Sequence, residues 1–171
     1  MLRTLTACLI ISVSLCSCSG FVPTRKKLLA YNQITVTNDS LYVLAKAWHQ
    51  QLVMATTDKN FARLRPYRVH IGQFLDRNRS IVSRLTVPPQ SQNLLDSEEA
   101  FLATQASLFS DTYSTLEEYS DITPAGTVNN QLMIASNNLN NLVAGKDAMT
   151  RALQHYMQQN DLKDDLAKKQ K

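Results

Sequence analysis

The fold is decided by residues 128–156, which read VNNQLMIASNNLNNLVAGKDAMTRALQHY. Apolar side chains recur there at alternating spacings of four and three residues, except where Lys146 takes one of the apolar positions. These positions are Val128, Leu132, Ala135, Leu139, Leu142, Met149, Leu153 and Tyr156. They share one side of an α-helix, because a helix turns once every 3.6 residues. The stretch therefore predicts a long helix packed nearly parallel to its neighbours, with Gly145 marking a local bend or a weak turn.

Three earlier segments repeat the same periodicity, and none alternates apolar and polar residues as a strand would. The first predicted helix spans about residues 28–56, and its inward positions are Ile34, Leu41, Leu44, Trp48, Leu52 and Ala55. The second follows Asp58, which we expect to cap it, and its apolar positions are Phe61, Leu64, Ile71, Phe74, Leu75, Val82 and Leu85. The third spans about residues 96–120, and its inward positions are Phe101, Leu102, Leu108, Phe109, Leu116 and Tyr119.

Prolines and capping signals predict where these helices begin and end. Pro66 should kink the second helix or delay its start, and Pro88-Pro89 should end it, because proline has no backbone N–H to donate. Asp96 and Glu99 have the spacing of a capping box at the start of the third helix. Thr123-Pro124 predicts a cap followed by a first-turn proline for the fourth helix.

Four amphipathic helices joined by short connections predict an all-α fold, an antiparallel four-helix bundle over residues 28–160 followed by a charged tail, residues 161–171. Helices of this length span about 35–45 Å at a rise of 1.5 Å per residue. The chain has only four glycines and no Asn-Gly turn, so an all-β fold has little support.

The first eighteen residues contain every cysteine of the chain: Cys8, Cys16 and Cys18. Arg3 gives a positively charged start, an apolar stretch too short to span a bilayer follows, and small Ser17 directly precedes Cys18. This arrangement resembles the bacterial lipobox, which the lipoprotein signal peptidase cleaves before a cysteine that has received diacylglycerol. The resemblance implies that residues 1–17 are a signal peptide and that Cys18, with Leu15 three positions upstream, carries the lipid.

Two other interpretations of this segment remain. An ordinary secretory signal peptide would be cleaved at a small residue near Ser17 or Gly20, and a transmembrane helix is disfavoured because serines interrupt the short apolar run. Cys16 is a poorer lipidation site than Cys18, because bulky Leu15 precedes it. Cleavage before Cys18 would leave no second thiol, so the exported domain would depend on its hydrophobic core and have no disulfide.

We expect residues 18–27 to be the lipidated cysteine and a tether, with Arg25-Lys26-Lys27 close to the membrane. Attraction to lipid phosphates and simple solubilisation of the helix start explain these charges equally well. By resemblance to enterobacterial lipoprotein sorting, Ser19 in place of Asp after the lipidated cysteine implies the outer membrane. It leaves open whether the domain faces the periplasm or the cell surface.

Charge is distributed unevenly along the chain. Residues 1–87 carry twelve Lys and Arg against three Asp and Glu, and residues 88–171 carry six against eleven. We expect the basic second helix to lie beside the acidic third or fourth helix, and no basic face with interleaved aromatics indicates nucleic-acid binding. Arg63, Arg65 and Arg68, around Pro66, are the candidate residues for contact with a partner protein.

No catalytic or metal-binding motif is recognisable. His49, His70 and His155 lack the spacings of zinc and di-iron motifs, and the chain has neither a phosphate-binding loop nor a Gly-x-Ser-x-Gly elbow. The sequence therefore predicts no enzyme, no cofactor and no metal site. Glu98 falls among the apolar positions of the third helix, and we expect it in the first turn, where the helix dipole favours a carboxylate.

The layout that begins at Tyr31-Asn32 resembles small helical surface lipoproteins of spirochaetes and Bacteroidetes, a likeness that implies a bundle and carries over no site. The sequence as a whole favours a non-enzymatic interaction or assembly factor of the outer membrane, with an envelope protein as its partner. The alternative is a bundle that holds a small apolar or metal ligand between its helices. Neither the identity of the partner nor the oligomeric state is indicated.

Overall fold

The computed structural model describes residues 22–163 and residue 165. Within them the chain forms no β-strand and four long α-helices: α1 (Thr24–Asp58), α2 (Arg65–Val82), α3 (Gln92–Ser107) and α4 (Ala125–Gln159). The all-α helical bundle is confirmed. The predicted signal peptide, Cys18 and all but four residues of the predicted tail lie outside the described residues.

Each helix packs against its neighbours in an antiparallel bundle. α1 and α3 both contact α2 and α4, so α1 and α3 lie diagonally across the core. The end of α4 lies beside the start of α1, where Tyr156 Oη donates to the carbonyl of Lys27 at 3.3 Å. The end of α2 also meets the first part of α1, where Thr37 Oγ1 donates to Asn78 Oδ1 at 2.9 Å.

One hydrophobic core fills the space between the four helices. Six of the eight apolar positions predicted on α4 are buried, and Leu132 and Leu139 are half-buried. The largest fully buried apolar side chains are Tyr156, Phe61, Ile34, Leu41, Leu52, Leu64, Ile71, Leu75, Leu102, Leu116 and Leu162. The three-four periodicity therefore identified the inward face of each helix correctly.

α1 begins one turn earlier than predicted. Pro23 precedes it with φ −56° and ψ 142°, and its carbonyl accepts hydrogen bonds from the amides of Lys26 at 2.9 Å and Lys27 at 3.2 Å. Pro23 thus supplies the first turn with its acceptor. Arg25, Lys26 and Lys27 belong to the helix and not to the tether.

Asp58 does not cap α2, so that prediction is wrong. It is the last residue of α1, which ends because Lys59 takes the left-handed conformation at φ 57° and ψ 24°. Asp58 Oδ1 accepts a weak hydrogen bond from the amide of Asn60 at 3.4 Å. A 3-10 turn, Phe61–Leu64, precedes α2, and Pro66 lies in the first turn of α2. The predicted delay in the start of the second helix is therefore confirmed.

α2 ends six residues before Pro88, earlier than predicted. Side chains at its end satisfy a helical carbonyl: Ser83 Oγ donates to the carbonyl of Ser80 at 3.1 Å, and Arg84 Nε donates to it at 2.8 Å. These local bonds compete with continuation of the helix.

The capping box predicted at Asp96 and Glu99 is absent, because α3 begins earlier, at Gln92. A 3-10 turn, Pro89–Ser91, leads into the helix, and the fixed φ of proline suits such a first turn. Asp96 Oδ1 instead accepts a hydrogen bond from Gln92 Nε2 at 3.0 Å on the exposed face.

Helical structure continues beyond α3, but its type changes. A π-helical segment, Leu108–Thr112, is followed by a 3-10 segment, Ser114–Glu118. Thr123 is not the cap of α4, because its Oγ1 accepts from the amide of Ser120 at 2.9 Å while Pro124 takes the cap position.

α4 runs without interruption through Gly145. A Cβ atom at this position would lie 2.5 Å from Cε2 of Phe101, so the glycine permits a close approach of α3 and α4 and is not a bend. Lys146 turns away from the core, with Nζ 2.8 Å from Asp39 Oδ1 and 5.1 Å from the centroid of the Tyr42 ring.

Candidate functional sites

A buried carboxyl group, Glu98, lies in the middle of α3 with none of its surface exposed. Asn38 of α1 donates from Nδ2 to Glu98 Oε2 at 2.9 Å. The two remaining oxygen atoms, Glu98 Oε1 and Asn38 Oδ1, are buried and have no hydrogen-bond partner. The expectation that Glu98 lies in the first turn is wrong, since α3 starts six residues earlier.

This environment favours the neutral form of the carboxyl group. Burial raises the pKa of Glu98 from 4.5 to about 7, and the hydrogen bond from Asn38 opposes that rise with a smaller effect. A neutral carboxyl group has an O–H donor, whereas an ionised one has none. In its neutral form Glu98 can therefore supply a donor to this pair, in which two oxygen atoms have no partner. Chemically, the pair is a proton-binding site within the core.

A second buried amide, Asn78 of α2, is fully hydrogen-bonded. Its Oδ1 accepts from Thr37 Oγ1 at 2.9 Å and from Gln33 Nε2 at 3.2 Å, and its Nδ2 donates to the carbonyl of Phe74 at 2.8 Å. Such a satisfied network fixes the alignment of α1 against α2. Both polar atoms of the Asn78 amide have a partner, in contrast to Glu98 Oε1 and Asn38 Oδ1.

An aromatic cluster joins α1 to the π-helical segment. Trp48 stacks on Tyr113 with ring centroids 4.3 Å apart, and Phe109 meets Trp48 edge-on at 5.5 Å. Phe109 and Tyr113 meet edge-on at 5.0 Å. Single π-helical turns are frequent at functional sites, so this cluster is a candidate.

The cavity beside the cluster is small, at about 10 Å³. Trp48 Nε1 is buried without a partner, and His49 Nε2 lies 3.1 Å from Ser136 Oγ. Burial raises the pKa of Tyr113, and a hydrogen bond with Asn138 opposes that rise. The volume corresponds to about one water molecule, so a larger ligand would require the helices to separate.

The predicted partner-binding residues Arg63, Arg65 and Arg68 lie around the start of α2. Arg63 forms an ion pair with Asp58, and Arg68 forms one with Glu117. Arg65 is exposed and belongs to no ion pair among the described residues. The Arg68–Glu117 pair confirms that basic α2 lies beside the acidic segment after α3. Two of the three guanidinium groups are thus held within the chain, and the partner role of all three stays a prediction.

An exposed apolar line runs along the outer face of α1. Leu29, Val36 and Val43 are 57%, 59% and 63% exposed and are spaced seven residues apart, so they share one side of the helix. This second line is not among the inward positions predicted for α1. Its signal, three apolar residues at seven-residue intervals, is nevertheless present in the sequence.

His70 and His155 are exposed, and no group of three or more His, Cys, Asp or Glu residues in the described part of the chain is placed to hold a metal ion. None of the described helices is both long enough and apolar enough to cross a membrane. Comparison of the chain with known protein families, curated proteins and solved structures found no match.

Proposed function

We propose that this chain is a lipid-anchored cell-envelope protein of the outer membrane, attached through Cys18, that acts without catalysis as an interaction or assembly factor. The Leu15-Cys16-Ser17-Cys18 segment supports the anchor, and Ser19 supports the outer membrane. Its partner is an envelope protein, and the bundle faces either the periplasm or the cell surface.

The single observation that carries the interaction role is the exposed line Leu29, Val36 and Val43. Isolated apolar residues on a surface are ordinary, but three on one side of a helix cover about 21 Å of its length. Valine gains nothing there from helix propensity, since its branched Cβ loses rotamer freedom in a helix. Burial against a partner would give these side chains a favourable role.

The spacing indicates what such a partner looks like. Seven residues is the interval at which two helices packed side by side repeat their contacts. Gln33 and Ser40, which are half-buried, lie along one side of the line, and exposed Asp39, paired with Lys146, lies along the other, so the line is narrow and bordered by polar groups. A helix of an envelope protein with its own apolar line is complementary to it.

The alternative, a bundle that holds an apolar or metal ligand, receives less support. The cavity beside Trp48 has room for about one water molecule, and its polar neighbours are uncharged amide, indole and phenol groups with one histidine. Larger clefts, of about 380 Å³ beside Leu94 and about 390 Å³ between α2 and α3, are lined mostly by polar or charged side chains, which do not suit an apolar ligand. A metal ligand set needs several His, Cys or carboxylate groups converging on one point.

The test uses the full chain in its own membranes, with a photo-crosslinking amino acid at Val36 in one sample and at Thr104 in another. Thr104 is exposed on α3, diagonally opposite α1, and is the matched control. We expect a discrete adduct from position 36 only. Replacement of both Val36 and Val43 by Lys should lower recovery of that partner by about tenfold or more, because both side chains would lose their burial.

Thr104→Lys should leave recovery unchanged. Equal adducts from both positions, or full recovery with the double Lys variant, would contradict a role for α1. If Arg65→Glu lowers recovery of the partner while the α1 variants leave it unchanged, the contact lies at the start of α2 instead. Arg65 suits this comparison because reversing Arg68 would set two carboxylates together at Glu117 and disturb the fold.

A further inference from the structure

The start of α1 and the end of α4 meet at one end of the bundle, which we call the proximal end: residues 22–27, 83–91 and 160–163. Tyr156 bonds to the carbonyl of Lys27 there, and Asn160 Nδ2 donates to Ser91 Oγ at 3.5 Å. Three apolar side chains are buried at this end, Val22, Val87 and Leu162, and the last two belong to the hydrophobic core. The proximal end is therefore one packed surface built by three separate parts of the chain.

The proximal end is strongly basic. Its charged residues are one carboxylate, Asp161, and five cations: Arg25, Lys26, Lys27, Arg84 and Lys163; a further described carboxylate, half-buried Asp165, follows just beyond it. All the cations are exposed except half-buried Lys27, and none belongs to an ion pair among the described residues. Arg84 donates to the carbonyl and the hydroxyl of Ser80, which are neutral acceptors, so its charge is not compensated there.

The opposite end has the reverse balance. Residues 58–68 and 111–124 carry four basic side chains and five acidic ones. Two of those basic groups, Arg63 and Arg68, are already paired with carboxylates. With five cations and one carboxylate at the proximal end and four cations and five carboxylates at the opposite end, the excess of positive charge lies at the proximal end.

Chain length places the anchor at this same end, a step that rests on the proposed lipidation of Cys18. Val22 is buried in the proximal end, and only four residue steps separate it from Cys18. Even a fully extended chain covers no more than about 14 Å in four steps. α1 itself is about 52 Å long, so the opposite end lies far from the anchor.

We propose that the proximal end docks on an anionic lipid surface, with the phosphates of the headgroups as its ligands, so that the bundle stands on the membrane by its positive end. Each Lys or Arg held near an anionic bilayer raises binding about fivefold. The lipid supplies attachment, and the five cations supply orientation. The attraction falls off within a Debye length, about 8 Å at physiological salt, so only charges at the surface contribute.

The experiment separates docking from lipidation by using the whole chain from residue 18 with Cys18→Ser. Co-sedimentation is measured with vesicles of phosphatidylethanolamine and phosphatidylglycerol, and with vesicles of phosphatidylcholine alone. We expect binding to the anionic vesicles that weakens as salt is raised, and none to phosphatidylcholine. Arg25→Glu with Lys26→Glu should lower that binding by about 25-fold or more, since two attractive charges are lost and repulsion replaces them. A carboxylate suits the first turn of a helix, so this variant should stay folded, as circular dichroism will check.

The matched control is Lys59→Glu with Arg65→Glu, which makes the same change in net charge at exposed sites of the opposite end. It should change binding by less than about twofold, because those charges lie several Debye lengths from the surface. Equal losses of vesicle binding in the two double variants, or equal binding to both kinds of vesicle, would overturn the proposed orientation. Absence of vesicle binding would also overturn it while leaving the lipid anchor intact, because lipidation is read separately on Cys18.

Discussion

Glu98 shows how one buried side chain can make the stability of the whole bundle depend on pH. It is the single carboxylate among the buried residues that the structure describes, and the other buried ionisable groups are Tyr113 and Tyr156. Burial raises the pKa of Tyr156 to about 12, so both phenols stay neutral through the range in which Glu98 titrates. The half-buried Arg79 of α2 has an Nε atom without a partner, but no cation in the described part of the chain forms an ion pair with Glu98.

The pKa of Glu98 is higher in the folded chain, about 7, than the 4.5 of an exposed glutamate. Between these values the folded state holds a proton that the unfolded state has released, so stability falls as pH rises. The contribution of the Glu98 proton to the free energy of unfolding is complete below pH 4.5 and is lost as pH passes through 7. It amounts to about 3 kcal/mol across that interval.

We predict that Glu98→Gln removes this pH dependence. Gln has a donor for Asn38 Oδ1 and an acceptor for Asn38 Nδ2, and it carries no charge at any pH. Denaturant unfolding should show the variant more stable than the parent chain by about 3 kcal/mol at pH 8 and nearly equal to it at pH 4.5. Glu99→Gln, on the exposed side of α3, is the control and should follow the parent. Parallel stability curves for Glu98→Gln and the parent would show that this carboxyl group does not bind the proton.

The sequence contained part of this site. Asn38 lies between Ile34 and Leu41, within the inward arc of α1, which is a signal for a buried polar contact. The apolar arc of α3 likewise indicated that Glu98 points inward. What the sequence could not give was the partner, because Asn38 and Glu98 are 60 residues apart and meet only when α1 and α3 lie diagonally across the core.

At the scale of elements, inward faces were predictable and boundaries were not. The three-four spacing is set by helix geometry and survives any change of neighbour. Helix boundaries depend instead on local hydrogen bonds that compete with those of the helix. Examples are the bonds that Ser83 and Arg84 donate to the carbonyl of Ser80. The π-helical segment Leu108–Thr112 had no sequence signal, because its apolar residues also suit an α-helix.

The π-helical segment contacts α1 through the aromatic cluster, and we predict that Phe109→Ala weakens this contact. Phe109 is buried against both Trp48 and Tyr113, so its loss should destabilise the chain by about 3–5 kcal/mol. Trp48 is the single tryptophan, so its fluorescence reports on the cluster, and its emission should shift to longer wavelength as water reaches the ring. Tyr67→Ala on the exposed face of α2 should cost less than about 0.5 kcal/mol and leave the emission unchanged. If the Trp48 emission spectrum and the unfolding midpoint of Phe109→Ala match those of the parent chain, the cluster does not link α1 to this segment.

At the scale of the whole molecule, the uneven charge of the chain becomes a difference between the two ends of the bundle. The basic first half and the acidic second half meet side by side, as the Arg68–Glu117 pair shows. The proximal end, beside the predicted anchor, carries the larger excess of positive charge of the two ends. Composition revealed the imbalance, but only the antiparallel topology shows where the excess positive charge lies.

Lipid on Cys18 is proposed to attach this bundle to a membrane, and the intact mass of the protein extracted from membranes will show whether that lipid is present. We predict a chain that lacks residues 1–17, begins at Cys18 and carries the added mass of diacylglycerol. Cys18→Ala should lose that mass and leave membranes washed at high salt, which screens the attraction of the proximal end, and Cys16→Ala should keep both the mass and the attachment. A mature chain without added lipid, cut near Ser17 or Gly20, or lipid that persists in Cys18→Ala, would contradict the account.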